Sequence, residues 1–316
     1  MLNSEKYFLV AAEELNIARA AKKIFISQQC LSNHIKRLEN HYGVQLFSRK
    51  PRLSLTKAGM LLASKLRQIQ IIENSLQNEL SEVEKDDNGI LRLGMHSSRA
   101  QVLLPRILPL YRRKHPNVKL NVYSNVAREM EQMLLKGRLD LFVGNHLNAA
   151  GGVELKLLCS ERVYLAVSDN LLKKYFPLRY PECKDEFRKG VDIHDFAQVP
   201  FIMNSDSSNL RRYVDTFFAE MGIQPEAAVT TNITEMHYQF SLNDYGASFC
   251  PGMVLALLPR GLTSGGLNIF PIKNYTPRNN IVLAVLKGVR VPQYIQDFID
   301  IVVDLCSSID TENLIK

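Results

Sequence analysis

The chain has 316 residues, 46% of them hydrophobic, with seven more basic than acidic side chains, which is enough for about two or three compact units with ordinary globular cores. Lys6, Glu13 and Glu14 interrupt the apolar start that a secretory signal needs, and no later stretch approaches the uncharged apolar run of a membrane helix, so a cytoplasmic protein without a membrane partner is expected. The five cysteines, Cys30, Cys159, Cys183, Cys250 and Cys306, are widely spaced with no CxxC pair. That spacing argues for reduced thiols and against a disulfide framework or a zinc site, with a redox pair of Cys183 and Cys250 as the alternative.

The segment from Ala18 to Glu39 reads as a short helix, a tight turn and a second helix. Ala20, Ala21 and Ile24 give the first helix an apolar face, and Asn16 can cap it. Ser27 is placed to cap the second helix, where Leu31, Ile35 and Leu38 repeat at spacings of four and three. That repeat turns Gln28, Gln29, Ser32, Asn33 and Lys36 away from the core. Such a face is either a solvated helix surface or the reading face of a helix-turn-helix, since Gln and Asn can bond an adenine edge and Lys can reach guanine or phosphate.

After the second helix, Gly43 suits a helix C-terminus. The alternation of Lys50-Pro51-Arg52-Leu53-Ser54-Leu55-Thr56 then reads as a β-wing with a basic tip, and Thr56 as the N-cap of a helix starting near Lys57. Ala20-Ala21, Ser27-Gln28, Ser32, Ile35, Leu38-Glu39, Gly43, Leu46-Phe47, Arg49, Leu55-Thr56 and Gly59, in register over this segment, resemble the LysR-type transcriptional regulators. The chain departs from that family at Gln29, Cys30 and Asn16. Cys30 is expected to be a small buried packing residue, and Gln29 to alter base preference, so no operator sequence carries over.

The resemblance implies a winged helix-turn-helix over residues 1–57 that binds double-stranded DNA. Arg19, Ser27, Gln28, Gln29, Ser32, Asn33, Lys36, Arg37, Arg49 and Arg52 are its candidate contacts. Ser32 and Asn33 are expected to read bases, and Arg19, Arg49 and Arg52 mainly to grip phosphate. Charge agrees with this: residues 1–65 carry eleven Lys/Arg against four acids, and clustered cations give salt-sensitive binding to phosphates.

Thr56 to Glu84 reads as one long helix. Leu62, Leu66, Ile69, Leu76, Leu80 and Val83 form a four-three seam, with Glu73 on it and Ile72 beside it. Either its own domain covers that stripe or a partner helix does. The resemblance favours the partner, because residues 58–89 correspond to the family's linker, and it implies a homodimer or homotetramer. The polar stretch Lys85-Asp86-Asp87-Asn88-Gly89 marks a domain boundary.

Beyond it, strands and helices alternate. Strands are expected at Ile90–Met95, Lys119–Ser124, Leu139–Gly144, near Phe201, Val229 and Phe249, and at Ile281–Leu286. Helices are expected at Ala100–His115, Glu129–Lys136, Leu210–Met221, Glu235–Asn243 and Val291–Cys306. This order implies a parallel sheet with crossover helices. The charged stretch Tyr180–Gly190 reads as a surface loop, a cover for a cleft, or an oligomer contact.

The resemblance implies an α/β effector-binding domain over residues 90–316, made of two Rossmann-like (periplasmic-binding-protein-like) subdomains. Subdomain I would hold 90–162 with 269–316 and subdomain II 163–268, with crossings near Arg162 and Asn268 acting as a hinge. Ligands of such folds sit at strand ends near helix N-termini. Candidate effector contacts are Ser97, Ser98, Asn125, Asn145, Met203, Asn204, Thr231 and Ser248, with Ser124, His146, Ser205, Arg99 and Arg128 beside them. Ser97 and Ser98 either help hold an anionic effector or simply cap their own helix.

No HExxH, GxSxG, P-loop or GxGxxG motif is present, so neither an enzyme nor a cofactor is expected. The expected function is a transcription factor whose DNA-bound state a small-molecule effector controls, with RNA polymerase a candidate partner. The alternative is a cytosolic small-molecule-binding protein or enzyme with a vestigial helix-turn-helix.

Overall fold

A computed structural model describes residues 3–48, 52–83, 89–145, 152–257, 266–275 and 279–309. The chain divides into two compact units, one built on residues 1–87 and the other on most of the remainder.

In the first unit, helices α1 (Asn3–Glu14), α2 (Ile17–Lys23) and α3 (Gln28–Tyr42) precede a two-stranded wing, β1 (Phe47–Ser48) and β2 (Ser54–Leu55), and the long helix α4 (Lys57–Val83). The capping expectations hold. Asn16 Oδ1 accepts from Arg19 N at 3.0 Å, Ser27 Oγ accepts from Cys30 N at 3.1 Å, and Gly43 closes α3 at a φ of 66°. Phe8, Ala20, Ala21, Leu31, Ile35, Leu38, Leu46 and Phe47 make the core. Cys30 is half-buried rather than buried, because it lies on the flank of α3 and not on the Leu31–Ile35–Leu38 stripe.

Thr56 ties wing to helix: its Oγ1 donates to Gln45 O at 2.7 Å and accepts from Gly59 N at 3.0 Å. Gly59 packs so tightly there that a Cβ would stand 2.1 Å from Leu46 O. The expected α4 seam divides. Ala63 and Leu66 are buried in their own unit with Leu62 against them, whereas Ile69, Ile72 and Leu76 are exposed. The side chains of Leu80 and Val83 lie outside the described residues, as do Arg49, Lys50 and Pro51 of the wing tip.

The second unit begins with β3 (Ile90–Met95), α5 (Ser97–Lys114), β4 (Lys119–Tyr123), α6 (Ala127–Leu135), β5 (Leu141–Asn145) and β6 (Val153–Glu161). It continues through β7 (Val163–Ser168), α7 (Asp169–Tyr175), α8 (Cys183–Arg188), a 3-10 turn (Ile193–Phe196), β8 (Phe201–Asn204), α9 (Asn209–Glu220), β9 (Ala227–Thr231) and α10 (Glu235–Leu242). It ends with β10 (Ala247–Pro251), α11 (Gly252–Leu257), β11 (Leu267–Pro271), β12 (Asn279–Leu286) and α12 (Gln293–Ser308). The strands form two five-stranded sheets, ordered β4-β3-β5-β12-β6 and β11-β7-β10-β8-β9.

Both sheets are mixed, which corrects the expectation of a parallel sheet. β3 runs parallel to β4 and β5, and β10 and β9 run parallel to β8, but β12 is antiparallel to β5 and β6, and β7 is antiparallel to β10 and β11. Antiparallel pairing arises wherever the chain passes from one sheet to the other, because the crossing strand arrives without a helical crossover. One passage is at Arg162, between β6 and β7, as expected. The other follows Pro271, where the pairing of β11 with β7 ends.

The stretch Tyr180–Gly190 is not a bare loop. It contains α8, whose Cys183 and Phe187 are buried in the second sheet's aromatic core with Phe176, Phe196 and Phe270. The five cysteines are free, and burial pushes the Cys250 thiol up to about 12, which leaves it without the thiolate a redox pair needs.

Candidate nucleic-acid interface and effector cleft

On the first unit, α3 is a ridge between two shallow depressions. Gln28, Ser32, Asn16 and Arg52 line one, and Ser27, Gln29, Asn33, Arg37, Cys30 and His34 line the other. Gln28, Gln29, Asn33, Lys36, Arg37 and Arg52 are exposed and Ser32 half-buried, so one continuous face holds these candidates. Arg49 falls outside the described residues.

Arg19 is already engaged. Its Nε lies 2.5 Å from Glu14 Oε2 and its Nη2 donates to Glu14 O at 2.6 Å. Lys23 Nζ adds a contact at 2.6 Å, and Lys23 and Arg19 together hold the Glu14 carboxyl below its usual range. His34 was not singled out in the sequence; its Nδ1 lies 2.8 Å from Ser4 Oγ and its ring meets Tyr7 edge-on.

Within the second unit, a cleft of about 300 Å³ opens at strand ends of both sheets. Four helices begin at it, at Ser97, Ala127, Asn209 and Glu235. The residues preceding three of them, His96, Ser208 and Thr234, make no side-chain cap to their own helix. The positive ends of the helix dipoles are therefore turned towards the cleft.

Of the expected effector contacts, Ser97, Ser98, Asn125, Asn145 and Asn204 line the cleft, together with Ser124, Ser205, Arg99 and Arg128. Met203, Thr231 and Ser248 do not. Met203 alternates inward into the hydrophobic core beneath β8. Thr231 turns its hydroxyl back to accept from Ile233 N at 3.1 Å. Ser248 is fully buried and accepts from Ser241 Oγ at 2.8 Å. His146 lies outside the described residues.

Beneath the cleft lies a polar network that ties the candidates Arg99 and Asn145 to Glu161 and Asn279, two residues that sequence reading missed. Arg99 is 5% exposed; its Nη1 donates to Asn145 Oδ1 at 2.7 Å and its Nη2 to Glu161 Oε1 at 2.5 Å. Glu161 also accepts from Asn279 Nδ2 at 2.7 Å and from Met253 N at 2.9 Å, and Asn145 bonds Asn279. Arg99 Nε has no hydrogen-bond partner among the described residues. The network draws on α5, β5, β6, β12 and α11, so no local motif could announce Glu161 and Asn279. Asn204 Nδ2 donates to Thr234 Oγ1 at 3.1 Å. Burial, then the Arg99 charge, lowers the His96 imidazole, whose Nδ1 lies 3.0 Å from Ser98 Oγ. Among the described residues there is no cluster of three metal-ligating side chains and no helix long and apolar enough to cross a membrane.

Residues 2–60 match the family described as bacterial regulatory helix-turn-helix protein, lysR family, and residues 84–307 match the LysR substrate binding domain. The chain is 28% identical over 309 residues to the Hca operon transcriptional activator HcaR of Escherichia coli (strain K12), covering 96% of this chain and 97% of that protein. Its fold is similar to that of full-length OxyR from Pseudomonas aeruginosa, with a TM-score of 0.66, 19% identity and coverage of 98% and 96% of the two chains. It is also similar to full-length CbnR in complex with its target DNA, with a TM-score of 0.56, 21% identity and coverage of 95% and 97%.

Proposed function

The chain belongs to the LysR family of transcriptional regulators, and from that membership we propose which of its residues carry each part of the work. The observation that supports the reading best is the exposed face of α3, capped by Ser27 and backed by Leu31, Ile35 and Leu38. Gln28, Gln29, Ser32 and Asn33 are held there on a rigid helix, as a major-groove reader requires. Lys36, Arg37, Arg49 and Arg52 are assigned to phosphates. Arg19 joins them by exchanging Glu14 for phosphate or by remaining a brace. The structure of CbnR in complex with its target DNA is in keeping with double-stranded DNA as the partner.

Residues 1–57 serve as the DNA module, 58–89 as the linker, and the remainder as the effector domain, its second subdomain extending to about residue 271, where β11 ends. The linker pairs two copies through Ile69, Ile72 and Leu76, which its own unit leaves exposed; a homodimer or homotetramer follows. The effector is anionic, held where the four helix N-termini meet, and acts through its differential affinity for two domain states. The chain works in the cytoplasm, without enzymatic activity of its own, and contact with RNA polymerase belongs to the same reading.

Selection from random duplexes with the purified chain tests it. An enriched inverted repeat with half-sites about one helical turn apart is expected; no enrichment over several rounds would overturn it.

A further inference from the structure

The cleft's chemistry narrows what enters it, given that it is the effector site. Among the described residues its lining has no Phe, Tyr or Trp, its one aromatic ring being the small imidazole of His96, and its few apolar members, among them Val126, Met130 and Leu210, are scattered among serines and asparagines. Sites for aromatic acids bury most of their ligand against apolar and aromatic walls; among the described residues this cleft has no such wall. Ser97, Ser124, Ser208 and Asn232 line it with side chains that make no hydrogen bond among the described residues. Hydroxyls and amides of this kind both donate and accept, and so match ligand groups that also do both.

Charge narrows it further. Arg99 is neutralised by Glu161, and burial and Arg99 lower the His96 pKa, which favours its neutral form. Arg128, exposed and without an ion pair among the described residues, is the one full positive charge on the lining. Together with the helix N-termini it balances one negative charge better than two.

We propose that the cleft selects a small hydroxyl-rich monoanion, a hydroxycarboxylate of the sugar-acid type, over aromatic acids. The carboxylate sits between Arg128 and the first turns of α5 and α6. The hydroxyls are shared among Ser124, Asn204, Ser208 and Asn232.

Titration calorimetry on the full chain with D-gluconate, quinate and L-lactate, against benzoate and neutral D-glucose, tests this. At least one hydroxy acid is expected to bind about tenfold or more tighter than either control, the worth of one or two well-made hydrogen bonds. Asn232→Ala, at an exposed position, should weaken that hydroxy acid about tenfold while leaving the thermal midpoint unchanged. Benzoate binding as tightly as any hydroxy acid would overturn the hydroxyl-rich class and leave the anionic reading standing. Glucose binding as tightly as gluconate would overturn the anionic reading itself. No hydroxy acid binding at millimolar concentration would overturn the proposal.

Discussion

Arg99 Nη2 and Glu161 Oε1 lie 2.5 Å apart, with both side chains buried. Glu161 is the last residue of β6, one position before the passage into the second sheet, and its other oxygen takes the N–H of Met253 at the start of α11. This pair therefore joins the floor of the cleft to a crossing between the two sheets. Any rearrangement of the two lobes on ligand binding has to pass through it or around it.

Breaking the pair from one side leaves a buried charge unmatched. Arg99→Leu is expected to lower stability by about 3–5 kcal/mol, measured by urea unfolding. The double replacement Arg99→Leu with Glu161→Leu should recover a large part of that loss, because the stranded carboxylate is then gone. A single-variant loss under about 1 kcal/mol would show that the pair is solvated in solution.

His237 is buried, and that burial lowers its imidazole to about 4 from 6.5. Below pH 6.5 the unfolded chain takes up a proton that the folded chain refuses. Stability is therefore full above about pH 6.5 and declines as pH falls towards 4, by about 2 kcal/mol between pH 6.5 and 5. Unfolding at pH 7 and pH 5 should show His237→Leu with a correspondingly smaller acid loss than the parent. An identical loss in both would mean that His237 carries its proton in the fold.

Gly59 has no room for a side chain, since a Cβ would meet Leu46 O at 2.1 Å. Gly59→Val is expected to destabilise the first unit by at least 1–3 kcal/mol, roughly the cost of overpacking a filled site, and to weaken DNA binding with it. A full-strength variant would show that the junction of wing and linker can open without cost.

The exposed faces of Ile69, Ile72 and Leu76 make the linker the natural place for a second copy. If the proposed pairing holds, Ile72→Glu should shift the chain to a smaller species in sedimentation at micromolar concentration, without altering helix content. A dimer that survives unchanged would place the contact elsewhere.

The DNA module was legible in the sequence because its signals are local. Asn16, Ser27, Gly43 and Thr56 are caps whose role depends only on their immediate neighbours, and each acts as expected. The alternation of strands and helices was legible for the same reason. The mixed pairing of the sheets was not, because β6 and β11 acquire their direction from partners about a hundred residues or more away along the chain. In the cleft, strand-end placement found Ser97, Ser98, Asn125, Asn145 and Asn204. It also drew in Met203 and Ser248, because period-two alternation does not say which face of a strand looks into a cleft. Glu161 and Asn279 carried no local mark at all; their role exists only once five elements meet.

The measurement that bears most directly on the whole account is affinity of the full chain for its own upstream DNA, against a shuffled fragment of equal composition, across a salt series. The account predicts a clear preference for the native fragment, with affinity for both falling steeply as salt rises. Gln28→Ala should erode the preference, and Arg37→Ala should reduce the salt slope by about one without touching it. Equal affinity for both fragments at every salt concentration would contradict the claim that α3 reads sequence.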